Sequence, residues 1–205
     1  MARAVFMKKS TNPLLTSLPA DPLQILADWL NEAREARDTP NSNAMVLGTV
    51  AIQKGEILPS SRVVLCKGFD VENGYLVFYS NYQSRKGGEL EANVNVSAVF
   101  HWDQAGRQAR VEGKVFRSPA EESDAYFASR PRGSQLSAWA SAQSEPISSR
   151  QALRDQLVQV EKRFADSEDI PRPPHWGGYR LWISALELWI DGDSRLHDRA
   201  RWIRT

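Results

Sequence analysis

Near the C-terminus, "RLHDR" sets Arg195, His197 and Arg199 at a spacing of two. In an extended strand that spacing puts all three side chains on one face. Two guanidiniums and an imidazole are costly to pack together unless an anion sits among them. Arginine suits bidentate recognition of phosphate or carboxylate. The bland alternative is an edge strand with a wet face.

Three other clusters combine cations with small polar residues. In "NYQSRKGGEL", Ser84 is placed to cap a helix whose first turn carries Arg85 and Lys86. Cations there oppose the helix dipole, and an anion on the free N–H groups removes the conflict. In "SSRVVLCK", Arg62 and Lys67 flank an apolar run and differ by five positions, so a regular strand sends them to opposite faces. The stretch "SRPRGSQLSAWASAQS" gathers Arg130, Arg132, Ser134, Gln143 and Ser144 around one tryptophan, with neither a helical stripe nor strand alternation. Arg132 reads as a surface charge. Trp189 closes "LELWIDG" and serves either as a stacking surface or as core.

Other chemistries find little support. His101, His175 and His197 lie far apart, and no HxxxH or CxxC spacing exists, so no metal site is expected. No Walker loop or GxGxxG opens a helix after a strand. Cys66, the single cysteine, sits inside a strand pattern and reads as a small core residue rather than a nucleophile.

The elements that must hold these clusters follow from periodicity. Residues 1–18 are polar and aperiodic and read as a mobile arm; residues 19–205 read as one domain. "ADPLQILADWLNEAREARD" is a helix with Asp21 as N-cap and Pro22 at its first position. From residue 44 to 117, short β-branched and aromatic runs alternate with turn signals, including the Asn-Gly pair of "VENGYL". Such spacing points to an antiparallel barrel. Ser118, Pro119 and Glu121 open another helix, and Ser148 with Gln151 forms a capping box for "SSRQALRDQLVQVEKRFAD". "YRLWISALELWIDG" and "RLHDRARWIRT" read as final strands. The fold class is mainly β with flanking helices.

Composition bounds the partners. The 205 residues carry a net charge of +1, which gives no general field toward nucleic acid or anionic membranes. A barrel that binds single strands needs a basic groove, whereas these arginines lie in compact clusters. No run approaches a membrane span, no secretory signal opens the chain, and one cysteine fits a reducing compartment, so a cytoplasmic protein is expected.

Taken together, "SSRVVLCK", "FYSNYQSRK", "RQARVEGKV", "YFASRPRGSQLSAWASAQS", "RPPHWGGYRL" and "LELWIDGDSRLHDR" resemble the pyridoxine/pyridoxamine 5′-phosphate oxidase family. The resemblance implies an FMN-binding split β-barrel, antiparallel, that forms a homodimer with flavin mononucleotide (FMN) at the subunit interface. It also implies oxidation of pyridoxine or pyridoxamine 5′-phosphate to pyridoxal 5′-phosphate, with dioxygen giving hydrogen peroxide. By the same resemblance the strand Arg62, Val63, Val64, Leu65, Cys66 and Lys67 lines the flavin. Tyr79, Ser80, Arg85 and Lys86 match positions holding the flavin and its phosphate, and Gln108, Gln143, Ser144, Trp189 and Arg199 match further flavin contacts. Substrate contacts carry over to Lys67, Tyr126, Arg130 and Ser134. Arg195 and His197 match the catalytic pair over the pyridine ring.

Three features depart from the family pattern. The N-terminal region lacks an Arg-x-x-Tyr lid element, the C-terminal region lacks an Arg-Leu-x-Pro type tail, and Gly48 stands where alanine is common. Two alternatives stay open on these residues: a related flavoprotein of the phenazine-biosynthesis type, and a non-catalytic carrier of flavin or pyridoxal phosphate.

Overall fold

The computed structural model describes residues 18–37 and 40–204. The arm expected over residues 1–18 lies, apart from Leu18, outside the described residues. Eight strands form one antiparallel sheet in the order β2-β1-β5-β6-β7-β4-β3, with β8 also paired to β7. They are β1 (Ala44–Gln53), β2 (Glu56–Leu65), β3 (Gly68–Asp70), β4 (Tyr75–Asn81), β5 (Asn95–Trp102), β6 (Arg107–Arg117), β7 (Trp176–Ile190) and β8 (Asp198–Ile203). The sheet curls without closing, which is the split-barrel arrangement.

Alternation explains the curl's interior. Along β1, Met45, Leu47, Thr49 and Ala51 are buried, while Val46 and Ile52 face outward. Helix α1 (Leu23–Ala36) plugs the interior with Leu26, Trp29 and Leu30 against Phe78, Phe100 and Leu188. Its start differs slightly from expectation. Pro22 occupies the cap position, and the Asp21 carboxylate accepts from the Leu23 N–H at 2.9 Å, one residue earlier than a standard cap.

A second, smaller core lies under α3 (Ala120–Ala128), α4 (Arg132–Ala140) and α5 (Arg150–Arg163), built from Phe127, Leu136, Phe164, Ile170 and Trp176. Two cap assignments shift by one residue. Pro119, not Ser118, is the cap residue of α3, and the Ser118 hydroxyl donates to Glu122 at 2.8 Å. Ser149, not Ser148, caps α5 by accepting from the Ala152 N–H at 3.0 Å, while Gln151 donates to Asp155.

The stretch around Arg132 is helical, contrary to its reading as irregular. Arg132 is not a free surface charge either. Its guanidinium donates to the carbonyls of Phe164 (2.7 Å), Ser167 (2.9 Å) and Glu168 (3.3 Å), closing the C-terminal end of α5. Arg132→Ala is expected to lower stability by about 1 kcal/mol, read by urea denaturation; an unchanged midpoint would leave the α4–α5 contact to packing alone.

Candidate active site

The first half of the site sits at the end of β4. Strand β4 hands the chain to α2 (Arg85–Ala92) through a tight turn in which Ser84 accepts from Gly87 N–H at 3.3 Å and donates to Asn81 O at 2.7 Å. Position 87 admits only glycine, because a Cβ there would collide with the Tyr82 carbonyl. That close approach places the start of α2 beside the strand end. Lys86 Nζ then lies 2.9 Å from Ser80 Oγ, 3.2 Å from Ser84 Oγ and 2.7 Å from Gln143 Oε1. All three acceptors are neutral. Burial, reinforced by the Arg62 guanidinium and opposed by Glu89, brings the Lys86 ammonium down to about 8.

Arg62 and Arg85 meet one buried carboxylate that the sequence reading did not single out. Glu89 accepts from Arg62 at 2.7 Å and from Arg85 Nε at 2.9 Å, and also from Thr49 and Ser60. These bonds outweigh the cost of burial and hold the Glu89 carboxyl down at about 2. Arg62 spends its two terminal nitrogens on Leu47 O, Thr49, Ser60 and Glu89. It faces this network rather than the cavity. Arg85 uses Nε alone among its recorded hydrogen bonds and is 64% exposed, so its terminal NH2 groups stay open to solvent.

Beside Lys86 a cavity of about 270 Å³ is lined by Val63, Leu65, Lys67, Tyr79, Tyr126 and Arg130, among others. Val64 lines it as well, whereas Cys66 turns into the core. Burial pushes the Cys66 thiol up to about 11, so it is a packed side chain and not a nucleophile. A neighbouring cavity of about 530 Å³ shares Tyr79, Ser80, Arg130, Gln143 and Trp176 with the first. Ser134 lies in the first turn of α4 and lines neither cavity. Ser144 is exposed and adopts φ 75°, a left-handed turn conformation after Gln143.

The aromatic floor is ordered. Tyr126 stacks on Tyr79 with centroids 3.8 Å apart, and Tyr79 stacks on Trp176 at 5.5 Å. Arg130 lies 4.7 Å over the Trp176 ring and 5.6 Å from Phe127. One of its terminal nitrogens, Nη1, is buried with no hydrogen-bond partner, and burial lowers the guanidinium's basicity. A buried cationic donor without an acceptor fits an anionic ligand.

The second half of the site lies at the far end of β7. Gln108, Trp189 and Arg199 are side by side in register across β6, β7 and β8. His197 packs on Trp189 with centroids 4.7 Å apart. Its Nδ1 is 3.1 Å from both the Gly192 N–H and Asp191 Oδ1. The neutral ring accepts from Gly192; the protonated ring gives its Nδ1–H to Asp191.

The expected common strand face for Arg195, His197 and Arg199 is not formed. Strand β8 begins only at Asp198, and Ser194 and Arg195 take φ of 55° and 65° in a 3-10 turn over Asp193–Arg195. A corner, not a strand, therefore presents Arg195 and His197.

The two halves are far apart in one chain. Tyr79 pairs with Gly178 and Gln108 with Trp189. Eleven residue steps of β7 separate these points, about 36 Å along the strand at the rise of an antiparallel strand. Of the described residues, no helix is long and apolar enough to cross a membrane.

An open antiparallel barrel with a hydroxyl- and lysine-lined pocket beside an aromatic floor is the architecture of the FMN-binding split-barrel class, whose members are FMN-dependent oxidoreductases. Residues 32–164 match the family described as pyridoxamine 5′-phosphate oxidase, and residues 176–205 match the pyridoxine 5′-phosphate oxidase C-terminal dimerisation region. The chain belongs to the pyridoxine/pyridoxamine 5′-phosphate oxidase family and carries its homodimer-forming region. It is 50% identical over 184 residues to the pyridoxine/pyridoxamine 5′-phosphate oxidase of Rubrobacter xylanophilus, covering 90% of this chain and 82% of that one. The protein of that name from Mycolicibacterium smegmatis is 48% identical over 87% of this chain and 75% of its own. Among solved structures, PhzG from Burkholderia lata 383, in complex with tetrahydrophenazine-1-carboxylic acid, superposes with a TM-score of 0.83 at 31% identity, covering 95% of this chain and 92% of that one.

Proposed function

We propose that this chain oxidises pyridoxamine 5′-phosphate or pyridoxine 5′-phosphate to pyridoxal 5′-phosphate, with dioxygen reduced to hydrogen peroxide, at a site shared by two subunits. One observation carries the shared site: the expected residues fall into two groups at opposite ends of β7, so neither group is complete within one chain. A second copy supplies the missing half.

Bound there, FMN supplies the redox chemistry, a two-electron oxidation with dioxygen as final acceptor. The residues present fit its phosphate. Lys86 and Arg85 provide the charge, Ser80 and Gln143 already hold the Lys86 ammonium, and Tyr79 with Val63, Val64 and Leu65 forms the wall beside it. Arg62 contributes by steadying Glu89 and the strand, and Cys66 by packing. Gln108, Trp189, Arg199 and Ser144 complete the cofactor contacts.

Arg130, Tyr126, Lys67 and Ser134 hold the substrate phosphate and fix the pyridine ring in register. Losing such orientation costs roughly 100-fold in rate. Arg195 and His197 come from the other subunit and act on the reacting carbon. His197 can hold a proton at Nδ1 through Asp191 or release it and take the Gly192 N–H instead, which suits a residue that steadies changing charge.

The phenazine-type alternative has the 31% identical structural neighbour in its favour. Relatives at 46–50% identity bear the oxidase name, and a buried arginine donor suits a phosphorylated substrate. Purified protein is expected to be yellow and to take up oxygen with pyridoxamine 5′-phosphate. Colourless protein that stays colourless with added FMN sinks the flavin reading, and yellow protein without oxygen uptake leaves a carrier.

A further inference from the structure

Trp176 has no role in the sequence reading, although it lines both cavities. It opens β7 beside Asn81 and is 8% exposed, so burial in the second core accounts for its presence. Burial does not account for what lies on it. The Arg130 guanidinium sits 4.7 Å over the indole, and its Nη1 has no acceptor.

Arg130 follows directly on α3, and its N–H donates to Phe127 O at 3.1 Å. No carboxylate is recorded in an ion pair with it among the described residues. An arginine on such a stem has several rotatable bonds and a wide choice of rotamers. What fixes its plane is the pair of ring faces, Trp176 beneath and Phe127 beside. A carboxylate partner would also fix it, but would occupy the donors and cancel the charge. The π face holds the cation while leaving its N–H groups for another acceptor.

We propose that Trp176 is a positioning residue for the phosphate of the substrate: its indole holds the Arg130 guanidinium in the plane from which its cavity-facing N–H groups donate to a phosphate monoester. The inference rests on the reading of Arg130 as a substrate-phosphate ligand. It predicts that Trp176 discriminates between phosphorylated and unphosphorylated ligands without touching the phosphate itself.

The test measures binding of pyridoxal 5′-phosphate and of pyridoxal to the FMN-loaded protein by calorimetry, in wild type, Trp176→Leu, Trp176→Phe, Arg130→Met and the Trp176→Leu/Arg130→Met double variant. Trp176→Leu is expected to weaken pyridoxal 5′-phosphate about 10-fold, and Trp176→Phe about threefold because the smaller ring holds a cation less well. Pyridoxal binding should be unchanged in both. In the Arg130→Met background, Trp176→Leu should add less than about a factor of two, since its target is gone. Equal losses for both aldehydes, or a full loss in the Arg130→Met background, overturn the proposal and leave Trp176 as core alone. If Trp176→Leu does not fold, Trp176→Phe decides, and equal affinity of that variant and wild type for the phosphorylated ligand counts against the inference. A wild type that binds both aldehydes equally overturns the phosphate reading of Arg130 itself, and with it the role of Trp176.

Discussion

A heterodimer carrying Arg130→Ala in one subunit and His197→Ala in its partner is expected to turn over at about half the wild-type rate, although each homodimeric variant is nearly inactive. Each substitution alone should cost roughly 100-fold, because one removes the phosphate grip and the other a group at the reacting carbon. In the proposed assembly every site takes Arg130 from one subunit and His197 from the other. The mixed dimer then contains one site with both residues altered and one with both intact. Co-expression with two different affinity tags isolates the mixed species for an oxygen-uptake assay. A mixed dimer of Arg130→Ala with Lys86→Met is the control: both lie in the same half-site, so neither site is intact and activity stays at the mean of the two homodimeric variants. If the first pair fails to complement, Arg130 and His197 serve within one chain, and the separation along β7 has to be bridged some other way.

The strands were legible because their burial alternates. The runs that became β1, β5 and β6 each keep one buried face, which joins the core entered by α1. Helix α4 was not legible for the opposite reason. Only Gln135 and Leu136 of its nine residues are buried, so no apolar stripe marks it, and its N-terminal end is fixed by Pro131 and by the reach of Arg132 to α5. The cap shift from Ser148 to Ser149 reflects two adjacent serines of equal local merit, between which only the tertiary path of the chain decides.

The candidate site divides in the same way. The conflict between Arg85, Lys86 and the helix dipole pointed to an anion site, and the structure places the Lys86 ammonium against Ser80, Ser84 and Gln143. The spacing of Arg195 and His197 suggested a strand, but two positive-φ residues after Gly192 turn it into a corner. Glu89 and Trp176 could not be read locally. Glu89 meets Thr49 across 40 positions, and Trp176 meets Arg130 across a similar gap. No periodicity records such contacts; they appear only when β4, β7 and the helices are brought together.

Lys86→Met is expected to weaken FMN about 30-fold, in line with the loss of a charge-assisted bond to phosphate. Its pH profile separates this role from packing. The free Lys86 ammonium titrates at about 8, and a bound phosphate dianion raises that value. A group whose proton is held more tightly in the complex favours binding below its free value and loses that contribution as pH climbs through the bound value. FMN affinity in the wild type should therefore fall as pH rises above about 8. At the acid end it should rise near pH 6, as the phosphate takes its second charge. Other charges face Lys86. Glu89 stays ionised because its carboxyl lies at about 2, and burial holds the Tyr79 phenol up at about 12. Lys86 is thus the group that titrates in this window, and Lys86→Met should lose the alkaline limb while keeping the acid one. Fluorescence quenching of FMN between pH 5.5 and 9.5 reads both limbs. Riboflavin, which lacks the phosphate, should bind wild type and Lys86→Met equally at every pH. An alkaline limb that survives in Lys86→Met would assign the titration to another group and remove Lys86 from the phosphate site.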